Sequence, residues 1–184
     1  MQLKEIQKIL KNKSSKETKA STQKFNPSSQ RVYGVKVPVL NEIAKKIKDA
    51  DFELVEKLWK SGVFEERLLA IKILGRICKK DPDKTLKIIR KIAPGISDWG
   101  VCDTLATQGI RKIVEEKQKE LFELSQKYIL SNNFWQRRFG LVLLINFAKD
   151  RSSRKNIETI LKKVENDKEP YVKKAITWLK SELK

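Results

Sequence analysis

The sequence predicts an all-α fold: a right-handed solenoid of helical hairpins with a concave basic face. Three observations predict it. Apolar residues recur at helical spacing nearly from end to end. No alternating apolar run lies between hairpin turn signals, so no strand is expected. The helical segments also alternate in pairs of roughly 35–40 residues, as repeat arrays do. A Glu/Lys-rich partner such as 115–130 is followed by a more apolar one such as 134–148. Helix pairs of this period stack into solenoids of the HEAT or armadillo type. A plain helical bundle is the competing architecture.

Each element has its own signal. Leu3, Ile6 and Leu10 open the chain with a first apolar stripe. Residues 12–32 are less regular, with a basic polar run and the turn Asn26-Pro27-Ser28-Ser29. A mobile loop is expected there, ahead of Tyr33-Gly34-Val35. Val37, Leu40, Ile43, Ala44 and Ile47 form the next helix, begun by Pro38 in its first turn. Phe52, Val55, Leu58 and Trp59 follow, capped by Asp51 and stopped at Gly62. Leu68, Leu69, Ile71, Ile73, Leu74 and Ile77 lie in a longer, more fully buried helix. Pro82 starts another, which carries Leu86, Ile88, Ile89 and Ile92 until Pro94-Gly95 ends it. Further helices are expected from about Asp98, Glu115, Asn133, Arg154 and Glu169.

Composition narrows the function classes. The 184 residues fit one domain, 1–184, with room for a core. With 40% apolar and 35% charged residues, the chain is too apolar for disorder and too polar for a membrane protein. No apolar run nears the roughly 18–20 residues that span a bilayer. The first residues are amphipathic and lack the apolar core of a signal peptide. A cytoplasmic protein, simplest as a monomer and without a membrane partner, is expected. Cys78 and Cys102 sit in apolar helical stretches, where they serve as small hydrophobes. Histidine is absent, which removes most metal sites and triads. No metal and no cofactor is expected, and any chemistry rests on carboxylates, Lys, Tyr or Trp. The net charge of +18, from 41 basic against 23 acidic residues, favours a polyanionic partner, nucleic acid first. A Lys-rich genome would give the same excess on any solvated surface.

Four places rise above the helical background. Trp99 and Asp103 stand at i and i+4, which puts a ring and a carboxylate on one helix face. Asn132-Asn133-Phe134-Trp135-Gln136-Arg137-Arg138 sets two guanidinium groups in the first turns of a helix, where the dipole disfavours cations. An anionic partner would explain them. In the last helix Tyr171, Lys174 and Trp178 share a face at i, i+3 and i+7. The fourth place is the aromatic-glycine turn within Arg31-Val32-Tyr33-Gly34-Val35-Lys36-Val37-Pro38. Taken singly, each has a plain alternative: core packing for the tryptophans, solvated charge for Asp103, surface charge or ion pairing for the arginines.

In register, Tyr33-Gly34-Val35-Lys36-Val37-Pro38, Trp99 with Asp103, Trp135 with Arg138, and Lys173-Lys174-Ala175-Ile176-Thr177-Trp178 resemble the DNA alkylation repair glycosylases of the AlkD type. The likeness covers most of the chain. It implies a HEAT-like solenoid that excises cationic N3- and N7-alkylated purines from double-stranded DNA. It implies Asp103 as the catalytic aspartate, Arg138 as a DNA contact near the lesion, Trp99 and Trp178 as the rings that flank it, and Tyr33 as an aromatic near the DNA. Gly100 departs from the family, many members having a second acid there. The chain also ends soon after Trp178, and a missing terminal repeat would narrow the DNA footprint.

The residue types suit the reaction. N-glycosidic cleavage passes through an oxocarbenium-like sugar, and a cationic purine leaves as a neutral base without prior protonation. One carboxylate then suffices. Arg111, Lys112, Arg137, Arg138, Lys173 and Lys174 are the expected phosphate contacts, with Lys36, Arg67 and Lys72 as secondary candidates. The glycosylase reading requires Asp103, Trp99, Arg138 and Trp178 to converge on one basic concave surface. Two alternatives stay open: a non-catalytic HEAT-repeat module that binds nucleic acid, and a protein-binding scaffold.

Overall fold

The structure, a computed structural model, describes residues 1–29 and 31–184. It is 75% helix, and no strand occurs among the described residues. The all-α class read from the periodicity therefore holds. In chain order the helices are α1 (Leu3–Asn12), α2 (Lys16–Phe25), α3 (Val37–Lys46), α4 (Phe52–Lys60), α5 (Phe64–Ile77), α6 (Pro82–Ile92), α7 (Trp99–Thr104), α8 (Gln118–Ile129), α9 (Phe134–Leu144), α10 (Arg151–Val164) and α11 (Pro170–Glu182). The chain divides into two compact units, Met1–Ile110 and Arg111–Lys184. Among the described residues no helix is long and apolar enough to cross a membrane.

In the first unit α5 is the central element. It is buried nearly all round, with Leu69, Ala70, Ile71, Ile73 and Leu74 fully enclosed. A helix apolar on every side must be covered on every side. α3, α4 and α7 supply that cover. In the second unit α9 plays the same part between α8 and α11. A Cβ on Gly140 would stand 2.8 Å from both the Ser125 carbonyl and Ile129, so only glycine lets α8 and α9 approach this closely. The Ser125 hydroxyl then donates to the Gly140 carbonyl at 2.8 Å.

Helix starts follow the capping residues. Asp51, Asp81, Asp98, Asn133 and Asp150 each accept a first-turn N–H. α8 begins at Gln118 and α10 at Arg151, not at Glu115 and Arg154. The larger difference lies in the region 12–32. Residues 16–25 form α2, started by Ser15, whose hydroxyl accepts the Thr18 N–H at 3.1 Å. None of its residues is buried, so it carries no apolar stripe for periodicity to detect. Gln30, also within that expected loop, lies outside the described residues.

The turn that follows is held by a buried acid. Glu65 at the start of α5 is fully buried. Its carboxylate accepts the N–H groups of Tyr33 at 2.9 Å, Gly34 at 2.7 Å and Val35 at 3.1 Å. Gly34 has φ +92°, a backbone that side-chain-bearing residues rarely adopt. Three donors converging on one carboxylate offset its burial cost. Glu65→Ala leaves those donors without an acceptor, and urea unfolding is expected to show a loss of about 2–4 kcal/mol. A loss below about 1 kcal/mol would mean the turn is held by something else.

Candidate functional site

α7 is short, and its geometry is set from its first residue. Asp98 is only 2% exposed and caps the helix by accepting the Val101 N–H at 2.8 Å. Burial pushes its carboxyl above the usual range, opposed by hydrogen bonds from Val101, Ser29 and Gly100 and by the charge of Arg67. Trp99 then opens the helix with its ring 37% exposed. The indole N–H is already used, donating to the Phe25 carbonyl at 2.8 Å. The ring therefore offers its face, not its donor. Asp103 follows one turn later, half-buried on the same helix. Its carbonyl accepts the Thr107 hydroxyl at 2.7 Å, inside a π-helical stretch that continues α7 over Leu105–Gly109. Such stretches shift the side-chain register by one residue and recur at functional sites.

Tyr33 also belongs to the first unit. Its hydroxyl donates to Glu66 Oε1 at 2.7 Å, and Gln7 donates to the same carboxylate at 3.3 Å. Burial, then the bond to Glu66, pushes the phenol well above its ordinary value. Tyr33 is therefore a neutral donor fastened inward. Lys36 is exposed, whereas Lys72 is buried and donates to Gln108 Oε1 at 3.2 Å. Desolvation lowers the Lys72 ammonium from its usual range.

The second unit holds the remaining candidates. Arg138 is 6% exposed and donates to the Tyr171 carbonyl at 2.5 Å, tying α9 to the start of α11. Arg137 has its anion inside the protein. Its guanidinium meets Asp167 at 2.6 and 3.2 Å and the Ser131 and Asn132 carbonyls at 3.0 Å. This explains a cation at a helix start without an external partner. Lys173 and Lys174 are exposed on α11, and Lys174 lies 6.0 Å from the Tyr171 ring. Trp178 is half-buried, and its indole N–H donates to Glu182 Oε1 at 3.1 Å. Arg111 and Lys112 are both exposed. Trp59 and Trp135 are packed into the core. Among the described residues no cluster of acids and cysteines could hold a metal ion.

Several residues escaped the sequence. Phe25, 62% exposed, meets Trp99 through its backbone carbonyl, yet it sits in a polar stretch that reads as loop. Glu65, Glu66 and Asp167 work through contacts at least 30 residues away in sequence. Glu182 stands i+4 from Trp178, a spacing that pairs side chains on a helix and could have flagged it.

The Arg137–Asp167 pair generates a pH-dependent expectation. Burial raises the Asp167 carboxyl, but Arg137 and the Glu169 N–H outweigh it and hold the group below the usual range. Its stabilisation is complete above the unfolded carboxyl value of about 4 and is lost as pH falls through the lower folded value. Arg137→Gln is expected to cost about 3 kcal/mol at pH 7, with the gap to wild type narrowing as the pH falls below the unfolded carboxyl value and through the lower folded one. A gap that persists unchanged at low pH would contradict this, as urea midpoints across that range will tell.

These two sets of side chains sit within one continuous likeness. No match appears among curated proteins. A family model described as "DNA alkylation repair enzyme" matches residues 6–182, from Ile6 in α1 to Glu182 at the end of α11. Because that match takes in both units and every candidate residue named above, the chain belongs to the DNA alkylation repair enzyme family.

Proposed function

We propose that this protein is a DNA glycosylase that excises cationic N3- and N7-alkylated purines from double-stranded DNA. The observation that carries the reading is the pairing on α7. A ring with a solvent-facing surface and a carboxylate stand one turn apart, inside a chain of net charge +18 whose family repairs alkylated DNA. A basic surface draws the duplex. The acid and the ring then select the one nucleotide that carries positive charge.

In this proposal Asp103 stabilises the oxocarbenium-like sugar and positions the attacking water. The bond that breaks is C1′ to the purine nitrogen, and its electron pair neutralises the departing base. Water adds to C1′ and gives up a proton to solvent. Trp99 and Trp178 flank the lesioned nucleotide. Both indole N–H groups are taken by acceptors of the protein itself, Phe25 and Glu182. What remains is the ring face, whose quadrupole attracts a cation by about 0.5–2 kcal/mol. An undamaged base lacks both this attraction and the good leaving group, so extrusion into a deep pocket is unnecessary. Lys173, Lys174, Arg111 and Lys112, all exposed, meet phosphates, and Arg138, buried and bound to the Tyr171 carbonyl, positions the start of α11. Arg137 is neutralised by its pair with Asp167 and is not among these contacts. The architecture proposed with this chemistry is a right-handed HEAT-like solenoid with a concave basic face.

Asp103→Asn is expected to abolish release of 7-methylguanine and 3-methyladenine from methylated duplex DNA while leaving duplex affinity within about threefold, since a carboxylate contributes little to polyanion binding. Separation of the freed bases by chromatography reads the first effect and a gel-shift titration the second. A wild-type protein that binds the duplex but frees neither base is instead a non-catalytic nucleic-acid module.

A further inference from the structure

A second feature of the first unit is not used by this chemistry. A cavity of about 220 Å³ lies ahead of α7, lined by Ser28, Arg31, Arg67, Ser97 and Asp98 among others. It is smaller than the roughly 300–1,000 Å³ of pockets for drug-sized ligands, so it suits a small group.

Its donors outnumber its acceptors. Arg67 is fixed in place, packed over the Trp59 ring at 4.8 Å. It donates through Nη1 to the Gly95 carbonyl at 3.2 Å and to Ser97 Oγ at 3.5 Å. Its Nε is buried and has no partner. A buried N–H on a charged group without an acceptor is costly. Arg31 lines the same cavity; burial lowers the Arg67 guanidinium most, the Asp98 charge pulls it back up, and the repulsion from Arg31 adds a smaller lowering. Among the described residues neither arginine is ion-paired. Asp98 lines the cavity too, but its oxygens are taken by the Val101 and Gly100 N–H groups and the Ser29 hydroxyl. The cavity therefore holds two guanidinium groups against one occupied carboxylate, with an unfilled N–H. The fork of a guanidinium matches a phosphate group in geometry as well as charge.

We propose that this cavity is a phosphate-binding subsite, in which Arg31 and Arg67 hold one phosphate group and the Ser28 and Ser97 hydroxyls add donors. A backbone phosphodiester is the source expected from the repair reading, on which this part rests. Ser97 and Asp98 immediately precede Trp99. A phosphate seated here lies on the strand that presents a nucleotide to that ring.

The full chain carries the test, with inorganic phosphate and a methylated duplex as the two probes. Phosphate is expected to shift the Arg67 Nε–H resonance in nitrogen-15 spectra, where chloride at equal ionic strength does not. Arg31→Gln changes an exposed residue and should leave the fold intact. It is expected to weaken phosphate binding by about tenfold, the size of one charge-assisted contact. The same variant is expected to lower duplex affinity and reduce the salt slope by about one unit. Arg67→Gln should act alike, with its unfolding midpoint recorded because Arg67 also packs on Trp59. A phosphate response in wild type with no change of duplex slope in either variant supports the subsite and overturns its DNA source. No resonance shift together with an unchanged slope in Arg31→Gln overturns the proposal. Base release from the same duplex is scored separately, so a wild type that binds phosphate here but frees no base defeats only the glycosylase reading.

Discussion

The hydrogen bond from the Val101 N–H to the Asp98 carboxylate, made at a position almost without solvent, fixes where α7 begins. A six-residue helix has little cooperativity of its own and needs such a cap. Because α7 starts at Trp99, the indole emerges at its first turn and Asp103 one turn later. The same carboxylate accepts from Ser29 and so ties the segment after α2 to α7. That tie is seconded by the Trp99 indole, which donates to Phe25. One buried acid thus sets the origin of the helix, the neighbours of the ring and the placing of the candidate acid.

A chain with 41 basic residues has reason to keep its 23 acids at the surface as counter-charges. Several of them do the opposite. Glu65, Glu66 and Asp98 are buried, and each satisfies groups of the backbone or of Tyr33 and Gln7. Asp167 answers Arg137. Acids used in this way cannot screen the surface lysines, which leaves the exterior more cationic than the composition alone implies. That favours a polyanion and makes its binding steeply salt-dependent. The buried acids also hold irregular backbone, the Tyr33–Val35 turn above all, that no apolar stripe could hold.

What the sequence made legible follows from which forces repeat along the chain. Apolar stripes such as Val55, Leu58 and Trp59 mark helices because burial recurs with the helical period. Caps such as Asp51, Asp98 and Asn133 mark their starts because the acceptor is local. α2 stayed hidden because it buries nothing and rests on the Ser15 cap. The Trp99–Asp103 pairing was visible as an i, i+4 spacing on one helix. The inward fastening of Tyr33 and the Asp167 partner of Arg137 were not, because they join residues 33 and 30 positions apart. Asp167 is the lesson for the candidate site: a cation at a helix start calls for an anion, and the fold itself can provide it.

In the proposed glycosylase, Asp103 and the ring faces respond to positive charge at the nucleotide. The most direct measurement compares two duplexes that differ only at one abasic position. One carries a pyrrolidine sugar mimic, protonated and cationic, and the other the neutral tetrahydrofuran of the same shape. The account predicts that wild type binds the cationic duplex about tenfold more tightly, a difference of about 1.4 kcal/mol, and that Asp103→Asn loses this preference. Equal affinity of the wild-type protein for the two duplexes would contradict it.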